Sequence, residues 1–440
     1  MLMGLLMVSV TACGDDEAEA PEEEPGEAEG LEGSISMAID GESEAEVEYW
    51  EGIRDEVLEE HPDAEIELIE MDLMDHLEVI DDTDPTNEDV ADVIPFPDDR
   101  VHGLDANNAL APVDAEAMAD SVDGYDQTDF EEGISDMMEI DGEHLGFPFD
   151  IETMILFANK ENAEEADLDL EADAPFEFTE DFEYEDMLAN LTDAWFAIPF
   201  LNSADMEYLT QEDDGTVDSV LAQDFEDLTE EQQGVFEALY SYWEEHHEAG
   251  TPLWDQDAAP GYIDDNFATG EGTSIVLEGP WSTPDMLDIA GDPDNLEILP
   301  TTDVEVNGEP LVHFQSGWGL GINARLETEE EEMQLAKEFI LHAADPDNAV
   351  EYFESTGDIL ETAEPETYQD AGLTTAEEDT IEAVYDSFEE APTYQPSPEW
   401  DQVWDTWTNA LLAWESEEPD SVEEAYEEVQ ASFEAMLAGF

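Results

Sequence analysis

Charged side chains that could bind a polar ligand are numerous, but only a few of them are informative. The 440 residues include 127 Asp and Glu and only 5 Lys and Arg. Carboxylate pairs at the roughly 5–9 Å separation that glycoside hydrolases use therefore arise by chance and indicate nothing. A retained arginine is more informative, because its planar guanidinium binds two oxygen atoms in a geometry that lysine cannot match. Arg100 is thus a candidate binding residue, and a local salt bridge to Asp98 or Asp99 is the alternative.

Tryptophan side chains are the second candidate group. Trp281 follows a Gly-Pro pair, and because proline suits the first turn of a helix, this indole is expected where a helix begins. Trp400 and Trp404 open a later helical pattern, whereas the spacing of Trp407 and Trp414 is typical of core positions. An indole offers an apolar face and one N–H donor, which suits a ligand with an apolar face and a polar rim. A core anchor is the alternative for Trp281.

The elements that must position these residues alternate between strand and helix patterns. Residues 34–40, 45–60 and 65–71 predict a β-α-β unit, which favours a parallel sheet with a right-handed crossover. The apolar run 154–157 predicts a strand that is buried on both faces. With 440 residues and 41% hydrophobic side chains, the chain is long enough for two domains.

Three stretches in the middle of the chain give weaker patterns. Residues 163–182 are acidic and predict a loop-like insertion, residues 182–191 predict a helix, and the apolar run 195–200 predicts a strand. The loop at 202–205 follows that run. The Gly-rich run 317–321 does not have the spacing of a dinucleotide-binding loop, so we reject a phosphate site there.

Two longer motifs resemble a known family. They are Gly146-Phe-Pro-Phe-Asp-Ile-Glu152 with its following Asn159-Lys160, and Phe267-Ala-Thr-Gly270 with its following Gly279-Pro280-Trp281. Both resemble the carbohydrate-binding proteins of ABC importers, of the maltose/maltodextrin type within extracellular solute-binding protein family 1. The resemblance runs from about residue 34 to residue 437.

The family resemblance implies an α/β fold of two lobes, the type II periplasmic-binding-protein-like fold. Each lobe is expected to be a mainly parallel sheet flanked by helices, with the ligand cleft between the lobes. Lobe 1 is expected to comprise residues 34–151 and 318–373, and lobe 2 residues 152–317 and 374–440. The chain then crosses between the lobes near residue 151 and returns near residue 317.

The same resemblance implies the ligand contacts. These are Asp99, Arg100, Glu152, Trp281 and Trp400, with Trp404 as the alternative to Trp400, and also Glu42, Phe96, Asn202 and Asp205. The family has a lysine directly after its counterpart of Glu42, and Ser43 stands there in this chain. A sugar other than maltodextrin therefore stays open.

The function that the resemblance implies is binding without catalysis. We expect a neutral, maltodextrin-like oligosaccharide to be trapped by hinge closure and delivered to a membrane permease with its ATPase, by a monomer that needs no cofactor or metal. Another solute on the same fold and a glycan-degrading enzyme are the alternatives. A calcium-collecting surface protein would need Asp-x-Asp-x-Asp-Gly loops, and the sequence has none.

The N-terminus predicts a lipid anchor. Residues 2–10 are apolar but too few to span a bilayer, and the following Val10-Thr-Ala-Cys13 resembles a lipobox. We therefore expect a signal peptide at residues 1–12, lipidation of Cys13 and an acidic, disordered tether over residues 13–33. The protein would then sit on the outer face of the cell membrane, or in the periplasm where an outer membrane exists. A basic residue before the apolar run is missing, which a start codon assigned too far downstream would explain.

The charge balance limits both the partners and the surroundings of the protein. A net charge of −122 makes a folded chain repel itself at low ionic strength, whereas near 1 M salt the Debye length is about 3 Å and screens that repulsion. The composition therefore indicates a halophilic bacterium. It also argues against a nucleic-acid partner, because phosphate binding needs clustered Lys and Arg.

Dialysis into low salt is expected to unfold the protein, because the carboxylates are then no longer screened from one another. Circular dichroism before and after dialysis from about 2 M NaCl, where the Debye length is below 3 Å, measures the change. A helical spectrum that survives dialysis would contradict the halophilic interpretation.

Overall fold

The computed structural model describes residues 30–440, except residues 42, 123, 126–129, 131, 132, 171, 173, 212–215, 370, 395 and 396. The predicted signal peptide, the lipidated Cys13, nearly all of the tether and Glu42 lie outside these residues.

The strands in the described part of the chain are β1 Glu32–Ile39, β2 Asp63–Glu70, β3 Val93–Pro97, β4 Leu110–Ala111, β5 Glu139–Ile140, β6 Glu143–His144, β7 Gly146–Glu152, β8 Ile155–Asn159, β9 Phe176–Glu177, β10 Met187–Leu188, β11 Thr210–Gln211, β12 Val217–Asp218, β13 Ile275–Glu278, β14 Leu296–Pro300, β15 Val304–Val306, β16 Glu309–Pro310, β17 Ser316–Asn323 and β18 Ile359–Leu360.

The α-helices are α1 Glu44–Glu60, α2 Leu73–Asp82, α3 Val101–Ala106, α4 Ala115–Ala119, α5 Lys160–Glu165, α6 Ala194–Asn202, α7 Glu230–Ala249, α8 Ala259–Phe267, α9 Thr283–Ala290, α10 Glu330–Ala343, α11 Ala349–Thr356, α12 Thr375–Glu390, α13 Asp401–Glu417 and α14 Val422–Leu437. Short 3₁₀ turns link many of them, including Asp98–Arg100 and Pro280–Ser282.

The first sheet has the order β18-β7-β17-β3-β1-β2, and β4 pairs with β17 at its margin. β1 runs parallel to β2 and β3, as the β-α-β pattern predicts, and β17 runs antiparallel to both β3 and β7. α1 and α10 pack on this sheet. The buried face of α1 carries Tyr49, Trp50, Ile53 and Val57, which recur at helical spacing.

The second sheet has the order β10-β13-β8-β14. β8 lies between β13 and β14, antiparallel to both, and all five of its residues are buried. The predicted two-faced burial of this strand is therefore confirmed, although both sheets are mixed rather than mainly parallel.

The chain passes from the first sheet to the second between Glu152 and Ile155. Thr153 and Met154, which make this crossing, are fully buried. The chain returns from β14 through β15 and β16 to β17 in the first sheet. α12 then packs on β14, while α13 packs on α6 and α14. The first crossing thus lies at residues 153–154 and the return ends at β17, and the lobe boundaries at residues 151 and 317 stay a prediction.

Two of the weaker sequence interpretations are wrong. Residues 195–200 lie in helix α6, not in a strand: Asp193 caps this helix by accepting a hydrogen bond from the Trp195 N–H at 2.9 Å. Most of α6 is buried, and a short apolar run without a polar face does not distinguish a buried helix from a buried strand. Residues 182–191 do not form a helix. They form turns and strand β10, which pairs with β13, so tertiary pairing overrides their local pattern.

Phe96 is a core residue whose ring packs against glycines of β7 and β17. Its side chain is 0% exposed. A Cβ atom at Gly146 would lie 2.7 Å from the Phe96 ring, and one at Gly321 would lie 2.9 Å from it. The Gly-rich run in β17 therefore makes room for this ring. The prediction that Phe96 contacts a ligand has no support from this buried position.

Gly321→Ala is expected to destabilise the fold by about 1–3 kcal/mol, because the added methyl overpacks the Phe96 site. Gly52→Ala is the matched control: nothing lies within 4 Å of its added Cβ, and alanine is favoured over glycine in a helix by about 1 kcal/mol. Denaturant unfolding at high salt measures both. Equal stability of the two variants would contradict the packing role of Gly321.

Candidate ligand-binding cleft

A cavity of about 500 Å³ lies where the first sheet faces the turn before α9. Its volume is within the range of roughly 300–1,000 Å³ that is usual for small-molecule sites. Its lining residues are Ala38, Ile39, Asp40, Ser43, Glu46, Trp50, Asp72, Leu73, Met74, Pro95, Phe149, Asp150, Glu152, Trp281, Pro284, Asp285, Trp318, Leu320, Tyr352, Ser355, Thr356 and Asp358.

The strand ends of the first sheet build one wall of this cavity. Asp40 follows β1 and Glu152 ends β7, and in open α/β sheets ligands bind outside such carboxyl ends. The facing wall carries Trp281, which lies in the 3₁₀ turn before α9, and α9 packs on β14 of the second sheet. The sequence-predicted residues Glu152 and Trp281 therefore line the same cavity from the two sides.

Gly357, at the end of α11, brings the backbones of these two sides into contact. It has a φ of +86°, and a Cβ atom there would lie 2.2 Å from the carbonyl oxygen of Pro280. Only glycine accommodates both this left-handed backbone and this close approach. The wall that carries Trp281 is thus held directly against α11.

Asp150 is a buried carboxyl group of the cavity wall that accepts two hydrogen bonds. It is 5% exposed, the Tyr352 hydroxyl donates to its Oδ2 at 2.7 Å, and the Trp318 N–H donates to its Oδ1 at 3.0 Å. Burial raises the pKa of Asp150 to about 7, although both hydrogen bonds act in the opposite direction. This carboxyl group therefore exchanges its proton near neutral pH.

The pKa values of three neighbouring carboxyl groups are also raised. Burial raises the pKa of Glu46 to about 7, against the effect of the hydrogen bond from Trp50 Nε1 at 3.3 Å. Burial first and repulsion from Asp150 second raise the pKa values of Glu152 and Asp358 well above their usual range. The cavity therefore offers groups that can both accept and donate hydrogen bonds.

The lining as a whole suits a polar ligand that carries no negative charge. It contains seven carboxyl groups and no Lys, Arg or His. The rings of Trp50, Phe149, Trp281 and Trp318 supply apolar faces beside these groups. An arrangement of flat rings and hydrogen-bonding carboxyls can hold a molecule with an apolar face and a hydroxyl-rich edge.

A second cavity of about 410 Å³ collects another part of the predicted site. Asn202, Asp205 and Trp400 line it, together with aromatic neighbours at Tyr208, Phe314 and Tyr394. Trp400 is only 3% exposed. The structure therefore divides the predicted contacts, with Glu152 and Trp281 in the first cavity and these three residues in the second.

Asp99, Arg100 and Trp404 line neither cavity. Arg100 forms ion pairs with Asp81 at 2.6 Å and with Asp401 at 3.6 Å, so its partners are not the adjacent Asp98 and Asp99 of the local alternative. Asp99 accepts a hydrogen bond from Trp404 Nε1 at 2.9 Å. In this structure Arg100 is thus paired with Asp81 and Asp401, and Asp99 is paired with Trp404.

Sequence reasoning missed several residues of the first cavity, notably Trp50, Asp150, Trp318, Tyr352 and Asp358. Asp150 stands within the Phe-Pro-Phe-Asp-Ile-Glu motif, and Trp318 stands between the glycines of β17. These two could have been found as unusual residues inside otherwise apolar or small-residue strands. No local signal marks Tyr352 or Asp358.

In the described residues, no cluster of His, Cys, Asp and Glu has a geometry that could hold a metal ion. No helix in that same part of the chain is long and apolar enough to cross a membrane.

Comparison with known proteins identifies the family. Residues 53–379, well over half of the chain, match the model of the bacterial extracellular solute-binding proteins. The chain belongs to this family. It is a solute-binding protein rather than an enzyme, and such proteins work outside the cytoplasm, at the cell surface or in the periplasm. The maltodextrin-binding protein MdxE of Bacillus subtilis is 24% identical over 376 residues, which are 82% of this chain and 80% of that protein.

Solved structures show that the solute-binding protein has the expected two-lobe fold. The GacH receptor of Streptomyces glaucescens, solved unliganded and with acarbose, superposes with a TM-score of 0.71 at 18% identity, covering 93% of this chain and 100% of that one. MalX of Streptococcus pneumoniae in complex with maltopentaose gives 0.69 at 19% identity, covering 91% and 99%. The expectation of an α/β, two-lobe fold is confirmed.

Between pH 6.5 and 8.5 the solute-binding protein is expected to lose stability as the pH rises. Burial raises the pKa of Asp98 and of Glu278 to about 8, whereas carboxyl groups in an unfolded chain ionise near pH 4. The folded state then holds more protons than the unfolded state, so the free energy of unfolding falls until the pH passes the folded pKa. The buried His76, His246 and His313, with pKa values lowered to about 4, act in the opposite direction only below about pH 6.5.

Thermal unfolding at high salt measures this dependence, with Asp98→Asn as the comparison. Because an amide does not ionise, this variant should lose less Tm than the wild type between pH 6.5 and 8.5. Parallel curves for the two proteins would show that Asp98 does not titrate in the folded state.

Proposed function

We propose that this solute-binding protein binds a neutral oligosaccharide of the maltose/maltodextrin type and delivers it to an ABC permease and its ATPase. The observation that carries the proposal is the first cavity, in which indole rings stand beside carboxyl groups on two facing walls. The maltodextrin-binding relative and the maltopentaose complex of a similar fold support it.

The physical chemistry of the lining favours sugars over other solutes. A pyranose ring has an apolar C–H face that packs on an indole and a rim of hydroxyl groups that donate to carboxylates. An anionic solute would meet seven carboxyl groups and no cationic side chain in the lining. Such a solute would be repelled, since like charges at short range in a poorly hydrated site interact strongly.

Closure of the lobes is the proposed binding mechanism. Glu152 belongs to the strand that leaves the first sheet, whereas Trp281 precedes a helix that packs on the second sheet. A ligand can contact both only when the two walls are close together. Binding therefore shifts the population toward the closed form, by as much as the ligand prefers that form.

The proposed contacts are divided between the two cavities. Glu152 and Trp281 would bind the sugar unit in the first cavity, and Asn202, Asp205 and Trp400 would bind further units in the second. Phe96, Asp99, Arg100 and Trp404 line neither cavity, so they are left out of this contact set, although the family resemblance implies them.

The lipid anchor completes the proposal. A diacylglycerol on Cys13 would hold the protein at the outer face of the membrane through the acidic tether, since two acyl chains anchor stably where one does not. The protein would act as a monomer. The excess of carboxylates favours surroundings of high salt, in which the repulsion between these groups is screened.

Maltotriose is expected to raise the Tm in about 2 M NaCl, where the surface charges are screened. At about 100 times its Kd, a ligand adds about 2.7 kcal/mol to the stability, which for a chain of 440 residues corresponds to a shift of roughly 3 °C. Trp281→Ala should weaken binding at least tenfold through the lost ring contact. Trp254→Phe, a buried substitution away from both cavities, is the control.

Maltose, maltotriose and maltopentaose should each be tested, and the incubated sugars analysed by chromatography. A flat thermal shift across the whole series would remove the sugar assignment. Shorter sugars in the incubation would instead point to an enzyme.

A further inference from the structure

Four of the carboxyl groups that line the first cavity are largely withdrawn from water. They belong to Glu46 of α1, to Asp150 and Glu152 of β7, and to Asp358, which follows α11. Burial is the main cause that raises the pKa of each of the four. A composition suited to high salt places carboxylates in water, so it does not account for acids inside a cavity. We call these four groups the inner carboxyls.

The inner carboxyls have no cationic side chain as a partner, which is unusual for buried acids. Asp92, which is 7% exposed, shows the ordinary arrangement, because Arg325 Nε lies 2.7 Å from its Oδ1. The cavity lining contains no Lys, Arg or His, and the donors to Asp150 and Glu46 are neutral hydroxyl and N–H groups. The positive charge that balances the inner carboxyls therefore comes from outside the chain, as protons or as part of a ligand.

Asp358 is the inner carboxyl that is left without a donor. Its carboxyl group accepts no hydrogen bond from the residues that the structure describes. Repulsion from Asp150, Glu152 and Glu46 adds to the effect of burial in raising its pKa. A largely buried acceptor without a donor is costly, and a donor that a ligand supplies removes this cost.

The backbone places Asp358 beside the wall that carries Trp281. The preceding Gly357 is packed so closely that a Cβ atom there would lie 2.2 Å from the Pro280 carbonyl oxygen and 3.3 Å from Trp281 Cα. Asp358 and Trp281 both line the cavity, and the Trp281 side chain is half-buried. A ligand group held in this place meets a carboxylate and an indole ring. An ammonium group binds to both, through a charged hydrogen bond and a cation–π contact.

An organic ammonium group suits this place better than a metal ion or a sugar hydroxyl. In the described part of the chain, no group of His, Cys, Asp and Glu has a geometry that could hold a metal ion. A primary ammonium group carries one positive charge and three N–H donors, whereas a hydroxyl group carries no charge and one donor. The ammonium group therefore supplies both things that the inner carboxyls lack.

We propose that the first cavity prefers an oligosaccharide that carries a protonated amino group, and that Asp358 is the residue that binds this group. The inference rests on the proposed sugar-binding function and extends its ligand class from neutral sugars to amino sugars. No covalent bond is made or broken.

Binding of this kind is linked to protons. The positive charge of the ammonium group lowers the pKa of the carboxyl groups around it. Binding therefore expels protons that the inner carboxyls hold near neutral pH. A neutral sugar brings no charge and expels no protons by this route.

Maltose and three of its derivatives test the preference. In each derivative an amino group replaces one hydroxyl group, at C2, C6 or C6′, so the compounds differ from maltose in a single group. Calorimetric titration at about pH 6.5, where amino groups hold their protons, and in about 2 M NaCl, which screens the surface, gives the affinities. At least one aminomaltose is expected to bind the wild type about tenfold more tightly than maltose, because hydrogen bonds between charged groups are stronger than neutral ones.

Asp358→Asn tests the residue. It removes the charge and keeps the shape of the side chain, and the fold should tolerate it because burial already disfavours the charged form. The ratio of aminomaltose affinity to maltose affinity should fall from about tenfold to below about threefold, and a general loss of binding cancels in this ratio. Asp285→Asn is the matched control. It removes a carboxylate from an exposed position of the same lining, where salt screens the charge, so the ratio should stay near that of the wild type.

Proton release gives a second readout, which needs no variant. Titrations in two buffers with different ionisation enthalpies count the protons that are exchanged on binding. The preferred aminomaltose should release more protons from the wild type than maltose does. A side chain with a purely structural role would not produce this difference.

The outcomes separate this inference from the proposed function. Binding of maltose with no gain for any aminomaltose would overturn the inference and leave the proposed function standing. A gain that survives in Asp358→Asn would overturn the role of Asp358, and equal proton release with both sugars would overturn the role of the inner carboxyls. Binding of an aminomaltose without binding of maltose would support the inference and contradict the neutral ligand of the proposed function. Binding of none of the four sugars would overturn both.

Discussion

The antiparallel pairing of β7 with β17 is the constraint on which the cleft depends. β7 ends where the chain leaves the first sheet and β17 begins where the chain returns to it, so their pairing places the two crossings side by side. Its register sets Asp150 opposite Trp318 and Glu152 opposite Ser316. The first pair builds the cavity wall, and the second links that wall to Asp98, to which Ser316 Oγ donates. The cavity wall and the crossings therefore follow from one set of backbone hydrogen bonds.

The carboxyl groups of the first cavity must be stabilised without a cationic side chain in its lining. The chain has five cationic Lys and Arg side chains, and Arg54, Arg100, Lys160 and Arg325 form ion pairs with carboxylates away from the first cavity. The carboxyl groups of the first cavity must therefore be stabilised by neutral donors, as the Tyr352 hydroxyl and the Trp318 N–H stabilise Asp150, or by holding a proton. A held proton removes the negative charge of a carboxyl group, whereas a neutral donor stabilises that charge without removing it.

The sequence predicted the parts of the structure in which local pattern and tertiary role agree. The β-α-β opening and the doubly buried β8 belong to this group. Glu152 and Trp281, which the family resemblance implies as ligand contacts, line one cavity, and their contact with a ligand stays a prediction. The strand predicted at 195–200 was wrong, because an apolar run that is buried throughout has no periodicity to read. Tyr352 and Asp358 could not be found, because they reach the cavity through packing across about 200 residues of chain. One partner of Arg100, Asp401, was missed for the same reason: it is remote in sequence and one of 127 acids.

The glycine at the end of α11 has a mechanical consequence. At Gly357 the two bodies meet through main-chain atoms, so no side chain is available there to change rotamer and absorb a sliding movement. Any movement that takes the Trp281 wall away from α11 must therefore separate main-chain atoms at Gly357.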